Sequence, residues 1–248
     1  MLLTVDVGNT KTELGLWRDG ALVRGERAAT GGARDWAAWA KDRVAEAGGG
    51  VVEGVALASV VPTAIARWAD VAHALDVELR VYDGTNLPGL RVRVRQPAAV
   101  GPDRVINALG ALSLHAAPLI AVDLGTATTF DVVDGAGAFV GGAIAPGAGT
   151  ALDALVAGTA RLPAVPLETP ARAIGRDTVE AMQSGAVLGY AALVDGLVTR
   201  LRGELGGAAW CVATGGLAAR FAPLCTTIDA VDPALTLRGL RRAWELSK

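Results

Sequence analysis

Two similar halves in one chain predict a duplicated α/β architecture: two lobes, each with a mixed sheet flanked by helices. The first observation is a repeated octapeptide. Val5-Asp6-Val7-Gly8-Asn9-Thr10-Lys11-Thr12 returns as Val122-Asp123-Leu124-Gly125-Thr126-Ala127-Thr128-Thr129, 117 residues on (from 5 to 122) in a chain of 248. Each copy follows an apolar run and leads into alternating residues, which reads as a strand, a tight glycine turn and a returning strand. The second observation is that segments of helical period alternate with short apolar runs beyond each hairpin, which requires a parallel portion in the sheet.

In the first half, Asp19-Gly20 between two apolar runs extends the hairpin into a three-stranded meander. Trp36, Trp39, Ala40 and Val44 recur at helical spacing over residues 35–47, and Gly48-Gly49-Gly50 stops that helix. Residues 51–59 read as a buried strand that delivers Ser59-Val60-Val61-Pro62 to its carboxyl end. A helix over 63–75, a strand over 78–82 and a helix over 104–115 follow. The second half repeats the plan with strands at 118–123, 127–133 and 138–144 and a helix starting near Thr150. A long helix covers 178–205 with Asp177 as N-cap, followed by a strand at 210–213, a short helix at 216–224 and a last helix at 233–246. The lobes are expected to divide as 1–115 and 116–248.

Apolar residues make up 52% of the chain and charged residues 19%, enough apolar material for a substantial core. A formal charge of −2 gives no reason to expect nucleic-acid binding. Arg91, Arg93 and Arg95 alternate with Val92 and Val94 and read as the solvated face of a strand. Cys211 and Cys225 form neither a disulfide framework nor a metal spacing, and His73 and His115 have no Cys or His neighbours at ligand spacing. The opening residues lack the basic and apolar regions of a signal peptide. The uncharged stretch 135–152 is broken by glycines and Pro146, so no membrane span is expected and the protein is placed in the cytoplasm.

Asp6 and Asp123 each close a strand. A carboxylate there can hold a hard cation, and the glycine that follows lets backbone N–H groups approach phosphate oxygens. One such turn is equally an ordinary hairpin; two copies set to face each other across a cleft point to a two-lobed phosphotransferase. In that reading Asp6 holds Mg²⁺ directly or through water, while Asn9, Thr10 and Lys11 contact phosphate oxygens. Gly101-Pro102-Asp103-Arg104 opens a helix, which puts Asp103 in the first turn, where the helix dipole favours the ionised form and makes it a weak base. It is either an acceptor for a substrate's proton or a plain N-terminal charge cap. Arg104 suits a bidentate grip on a substrate carboxylate. Gly215-Gly216 either lets a planar adenine approach the backbone or simply turns strand into helix.

Taken in order, these segments closely resemble type III pantothenate kinases of the acetate and sugar kinase/Hsp70/actin superfamily. The resemblance runs through 6–10, 58–62, 101–104, 123–131, 141–147, 183–185, 214–217 and 232–240. It implies a duplicated ribonuclease H-like (actin-like ATPase) fold and ATP-dependent phosphorylation of the primary hydroxyl of pantothenate, the first step towards coenzyme A. By position, Asp6, Val7, Gly8, Asn9, Thr10, Lys11, Thr12 and Glu13 correspond to the ATP phosphate loop, and Thr126 to a further ATP contact. Asp103 corresponds to the proton acceptor, and Gly101, Pro102, Asp103 and Arg104 line the pantothenate pocket together with Thr178. Asp123 corresponds to the ligand of a monovalent cation, K⁺ or NH₄⁺, and the family implies a homodimer.

One position departs from the family pattern. Ala98 stands where a substrate-contacting tyrosine is usual, and loss of that ring and hydroxyl weakens substrate binding by roughly 1–3 kcal/mol. Two other readings remain: a non-catalytic regulatory protein that kept the fold, and a kinase for another small hydroxy acid.

Overall fold

Alternating apolar residues make β1 (Leu2–Val7) a strand with two unlike faces. Leu3, Val5 and Val7 are fully buried in one core, while Thr4 and Asp6 point to the other side of the sheet. The computed structural model describes residues 1–32 and 34–248. β1 runs antiparallel to β2 (Lys11–Arg18), which pairs with β3 (Ala21–Ala29); this is the meander expected from Asp19-Gly20. α1 (Trp36–Glu46) starts at Asp35, whose carboxylate accepts from the Ala38 N–H at 2.9 Å. β4 (Gly54–Ser59) then lies parallel to β1, α2 (Pro62–Leu75) follows, and β5 (Leu79–Val81) lies parallel to β4. The sheet order is β3-β2-β1-β4-β5.

One face of that sheet packs against α1 and α2 through three tryptophans. Trp36 meets Trp39 edge-on at 5.3 Å and Trp68 at 5.7 Å, and Trp68 is fully buried. Such rings contribute about 0.5–1.5 kcal/mol per pair beyond their buried area. The arginine run forms far less strand than expected: only Arg91–Val92 is extended as β6, and Arg91, Arg93 and Arg95 are all exposed. A short 3₁₀ turn at Pro97–Ala99 leads into α3 (Pro102–Leu112).

Residues 115–233 form a second compact unit built to the same plan. β7 (Leu119–Leu124), β8 (Ala127–Val133) and β9 (Ala138–Pro146) repeat the meander. α4 (Ala148–Ala157), α5 (Thr178–Gln183) and α6 (Tyr190–Glu204) follow, then β10 (Trp210–Thr214), α7 (Ala218–Phe221) and β11 (Ala230–Val231). These strands lie in the order β11-β10-β7-β8-β9, the counterpart of the first unit's order strand for strand. Even the register irregularities correspond, at Leu16/Trp17 in one meander and Val132/Val133 in the other.

The long helix expected over 178–205 is not uniform, because Ser184–Gly189 adopt π geometry between α5 and α6. An inserted π turn rotates the residues on either side relative to each other, a device common at functional sites. Residues 178–204 are apolar and long enough to cross a membrane by length and composition. Val187, Tyr190, Val194 and Val198 on one side of this segment are buried in this unit's core.

The last helix, α8 (Leu235–Leu246), departs from the expected division. It belongs to the first unit, which comprises Met1–Leu114 and Ala234–Lys248. It covers the sheet face opposite the tryptophan cluster: Leu237 sits over Gly15, and the Trp244 indole occupies the space where a β-carbon at Gly54 would be. The Arg80 guanidinium lies 4.3 Å from the same indole ring. Trp244→Ala is expected to cost about 3–5 kcal/mol, measured by urea unfolding; a loss below 1 kcal/mol would show that α8 does not support this sheet.

Candidate active site

The first turn after β1 is built on hydrogen bonds that keep its backbone tight. The Gly8 N–H donates to the Lys11 carbonyl at 2.9 Å, and the Thr30 hydroxyl donates to the Gly8 carbonyl at 2.8 Å. Thr30 N–H also donates to the Thr10 carbonyl, and the Thr30 and Thr12 hydroxyls share a bond of 3.0 Å. Asn9, Thr10 and Lys11 are exposed at the tip, whereas the Val7 and Thr12 side chains are buried. Of the octapeptide, then, Val7 and Thr12 can serve a ligand only through their backbone. Thr30 lies outside every motif of the sequence and is the brace that reading missed.

Asp6 lies directly across the strand pair from Glu13, and Glu13 from Arg27. Glu13 ion-pairs with Arg27 at 3.1 Å, yet burial outweighs the guanidinium and raises the Glu13 pKa above the usual range. Next to this turn, the Val60 N–H donates to the Val7 carbonyl at 3.0 Å. The Ser59 hydroxyl donates to the Val61 carbonyl at 2.8 Å, so the 59–62 segment packs at the end of β1 as a fixed loop.

Asp103 sits in the first turn of α3, on the helix layer that covers the Asp6 side of the sheet. Its Oδ1 accepts from the Arg104 N–H at 3.0 Å and lies only 2.5 Å from where a β-carbon on Gly101 would stand. Gly101 has φ −54°, open to any residue, so glycine is used here for space. Burial raises the Asp103 pKa, and the Arg104 amide and charge oppose this without cancelling it. The expectation of a helix dipole holding Asp103 as a weak base is therefore corrected: desolvation wins and makes it a stronger base. Pro102 occupies N1, and Ala98 lies exposed on the 97–99 turn, which packs where a β-carbon on Gly84 would collide with the Pro97 carbonyl.

In the second unit the loop after β7 is closed by three glycines. Gly125 N–H donates to the Ala127 carbonyl at 3.0 Å, and Gly147 N–H to the Thr126 carbonyl at 3.0 Å. The Thr150 hydroxyl also donates to the Thr126 carbonyl, at 2.7 Å. A β-carbon on Gly147 would overlap the Gly125 carbonyl, and one on Gly215 would overlap Asp123 Oδ1 and the Leu124 carbonyl. Gly215 also has φ +91°, so both its conformation and its space require glycine. Its close neighbour is thus the Asp123 carboxylate. Thr126 is exposed beside the N-terminus of α4, which has no side-chain cap and so offers backbone donors to an anion. The donors around Asp123 are hard oxygens, a set that fits a hard cation.

Thr178 is the first residue of α5, exposed, with Asp177 capping the helix through the Glu180 N–H at 2.9 Å. Among the described residues no three His, Cys, Asp or Glu side chains converge as a metal site. Cys211 is buried and its thiol is pushed up to about 12, which makes it a core residue.

Residues 2–200 match the family model for type III pantothenate kinase. The chain belongs to the type III pantothenate kinase family. The type III pantothenate kinase of Thermomicrobium roseum is 47% identical over 99% of this chain and 97% of its own length. Two solved structures share the fold across nearly the whole chain at 17% identity. A Baf family protein from Campylobacter jejuni gives a TM-score of 0.64, covering 99% of this chain and 98% of its own. The ROK hexokinase of Thermus thermophilus gives 0.51, covering 100% and 99%. The fold is therefore the duplicated actin-like one, with a mixed sheet in each half.

Gly101→Ala is expected to lower turnover at least about tenfold, since an ångström of misplacement at a reacting group costs up to ~100-fold. Its melting temperature should hold or rise, because alanine suits φ −54°. Normal turnover in this variant would show that the space beside Asp103 is not needed.

Proposed function

We propose that this protein transfers the γ-phosphoryl group of ATP to the primary hydroxyl of pantothenate, with Asp103 receiving the hydroxyl's proton. The observation that carries the catalytic role is the desolvated carboxylate of Asp103 on the first turn of α3, seated against a glycine. Membership of the family and near-complete coverage by a curated pantothenate kinase support the substrate. In a loose phosphoryl-transfer transition state the attacking oxygen loses its proton late, so an acceptor needs orientation more than strength. The fixed seat of Asp103 supplies orientation and its burial adds basicity.

The exposed tip Asn9-Thr10-Lys11 and the backbone of the 6–13 turn contact ATP phosphates, as does Thr126 beside the uncapped start of α4. Asp6 would hold Mg²⁺ through water, and Asp123 would hold K⁺ or NH₄⁺ with neighbouring backbone carbonyls. These cations, when bound, neutralise charge on the phosphates. Gly101, Pro102 and Arg104 line the pantothenate pocket, Arg104 gripping the substrate's carboxylate, and Thr178 contributes a hydroxyl. The protein works in the cytoplasm as a homodimer; the exposed Leu155, Val179 and Leu193 on α4–α6 support such a contact.

Asp103→Asn is expected to lower kcat by 10²-fold or more while leaving the Kd for ATP unchanged, as read by coupled ADP release and by calorimetry. Turnover close to that of the unsubstituted protein would exclude Asp103 as the proton acceptor. The same variant should melt higher, by about 2 °C or more at neutral pH. A carboxyl whose folded pKa is raised favours the fold only while protonated; that stability is lost as pH rises through the folded pKa, leaving an ionised group that costs stability at neutrality. Ala98→Tyr should lower the KM for pantothenate by about fivefold or more without changing the KM for ATP. An unchanged pantothenate KM would place Ala98 outside the substrate's reach.

A further inference from the structure

Asp103, Ile106, Asn107 and Gly110 fall at i, i+3, i+4 and i+7 of α3, a single stripe along the helix. Below its first turn that stripe is pressed against α8, backbone on backbone. A β-carbon on Gly239 would overlap the Ile106 carbonyl, and one on Gly110 would overlap the Leu235 carbonyl and stand 3.2 Å from the Gly239 nitrogen. With no side chain between the two backbones at these glycines, the groups that cross the seam set the rotation of α3 against α8 together with the packing of its buried Val105, Ile106 and Leu109. A directional contact crosses this seam: the buried Thr236 hydroxyl donates to Asn107 Oδ1 at 2.7 Å, one turn from Asp103. A hydrogen bond between buried groups costs far more to lose than it contributes when made, so it is held to one geometry.

We propose that Thr236 is a positioning residue for phosphoryl transfer: its bond to Asn107 fixes the rotation of α3 against α8 and thereby where the Asp103 carboxylate points. The proposal rests on Asp103 being the proton acceptor. A carboxylate about 5 Å from a helix axis moves about 1 Å for a rotation of roughly 10°, a displacement that costs up to ~100-fold in rate. The last helix of the chain thus serves the chemistry of a helix that ends more than a hundred residues earlier (Leu112 against Leu235).

Steady-state kinetics on Thr236→Val, Thr236→Ser and Asp103→Asn test this, each variant first checked for cooperative melting. Thr236→Val keeps the volume and removes the hydroxyl; its kcat is expected to fall at least tenfold with the KM for ATP unchanged. Thr236→Ser, which restores the donor, is expected to return kcat to within threefold of the parent. Should Thr236→Val fail to fold, Thr236→Ala is read in the same way. A Thr236→Val kcat within twofold of the parent, or a loss that serine does not rescue, overturns the proposal even if Asp103→Asn is inactive. Activity retained in Asp103→Asn instead overturns the reading on which the proposal rests.

Discussion

Two aspartates, Asp103 and Asp123, sit where a side chain has been left out. Asp103 Oδ1 lies against the open side of Gly101 and Asp123 Oδ1 against that of Gly215. Any residue with a β-carbon at either glycine would push the carboxylate away. At Asp103 the consequence is both geometric and electrostatic: a carboxyl group packed against backbone has little room for water, and lost hydration disfavours its charge. At Asp103 this outweighs the helix N-terminus and the neighbouring arginine. The same economy of volume lets α3 and α8 touch through Gly110 and Gly239, so one structural device both seats the Asp103 carboxylate and brings a remote helix up against its own.

Duplication explains the architecture and divergence explains the chemistry. Both halves place an aspartate at the end of the central strand, next to a strand that runs antiparallel and one that runs parallel. The surroundings then differ. Asp6 faces Glu13 across the strand pair, whereas Asp123 faces Thr129 and lies in a cradle of glycines. One turn is braced by Thr30 from the following loop, the other by Gly147 and Thr150 at a helix start. The helices that close each half, α3 after β6 and α8 after β11, pack together in the first unit. A repeated supersecondary unit has thus become two differently braced turns.

Much of the fold was legible in the sequence because its signals are local. The Asp-x-Gly turns, the Asp19-Gly20 hairpin and the caps at Asp35 and Asp177 each determine backbone geometry within a few residues, and each stands where the pattern put it. What escaped depends on distant contacts. The return of α8 to the first unit is set by Gly110, Gly239 and Trp244 meeting partners far along the chain, which periodicity cannot register. The π turn at Ser184–Gly189 lies inside an unbroken helical pattern. Thr30 sits in a polar loop with nothing to mark it as a brace. For the candidate site, the side-chain burial of Val7 and Thr12 and the sign of the Asp103 shift follow only from three-dimensional packing.

Titration of Asp103 measures the desolvation of its carboxylate directly. With aspartate labelled at the side-chain carboxyl carbon, and Asp103→Asn used to assign the signal, ¹³C NMR across acid pH is expected to give a midpoint clearly above the ordinary value of about 3.9. A midpoint at or below that value would contradict the account, because it would mean that the helix N-terminus and Arg104, rather than burial, govern the group.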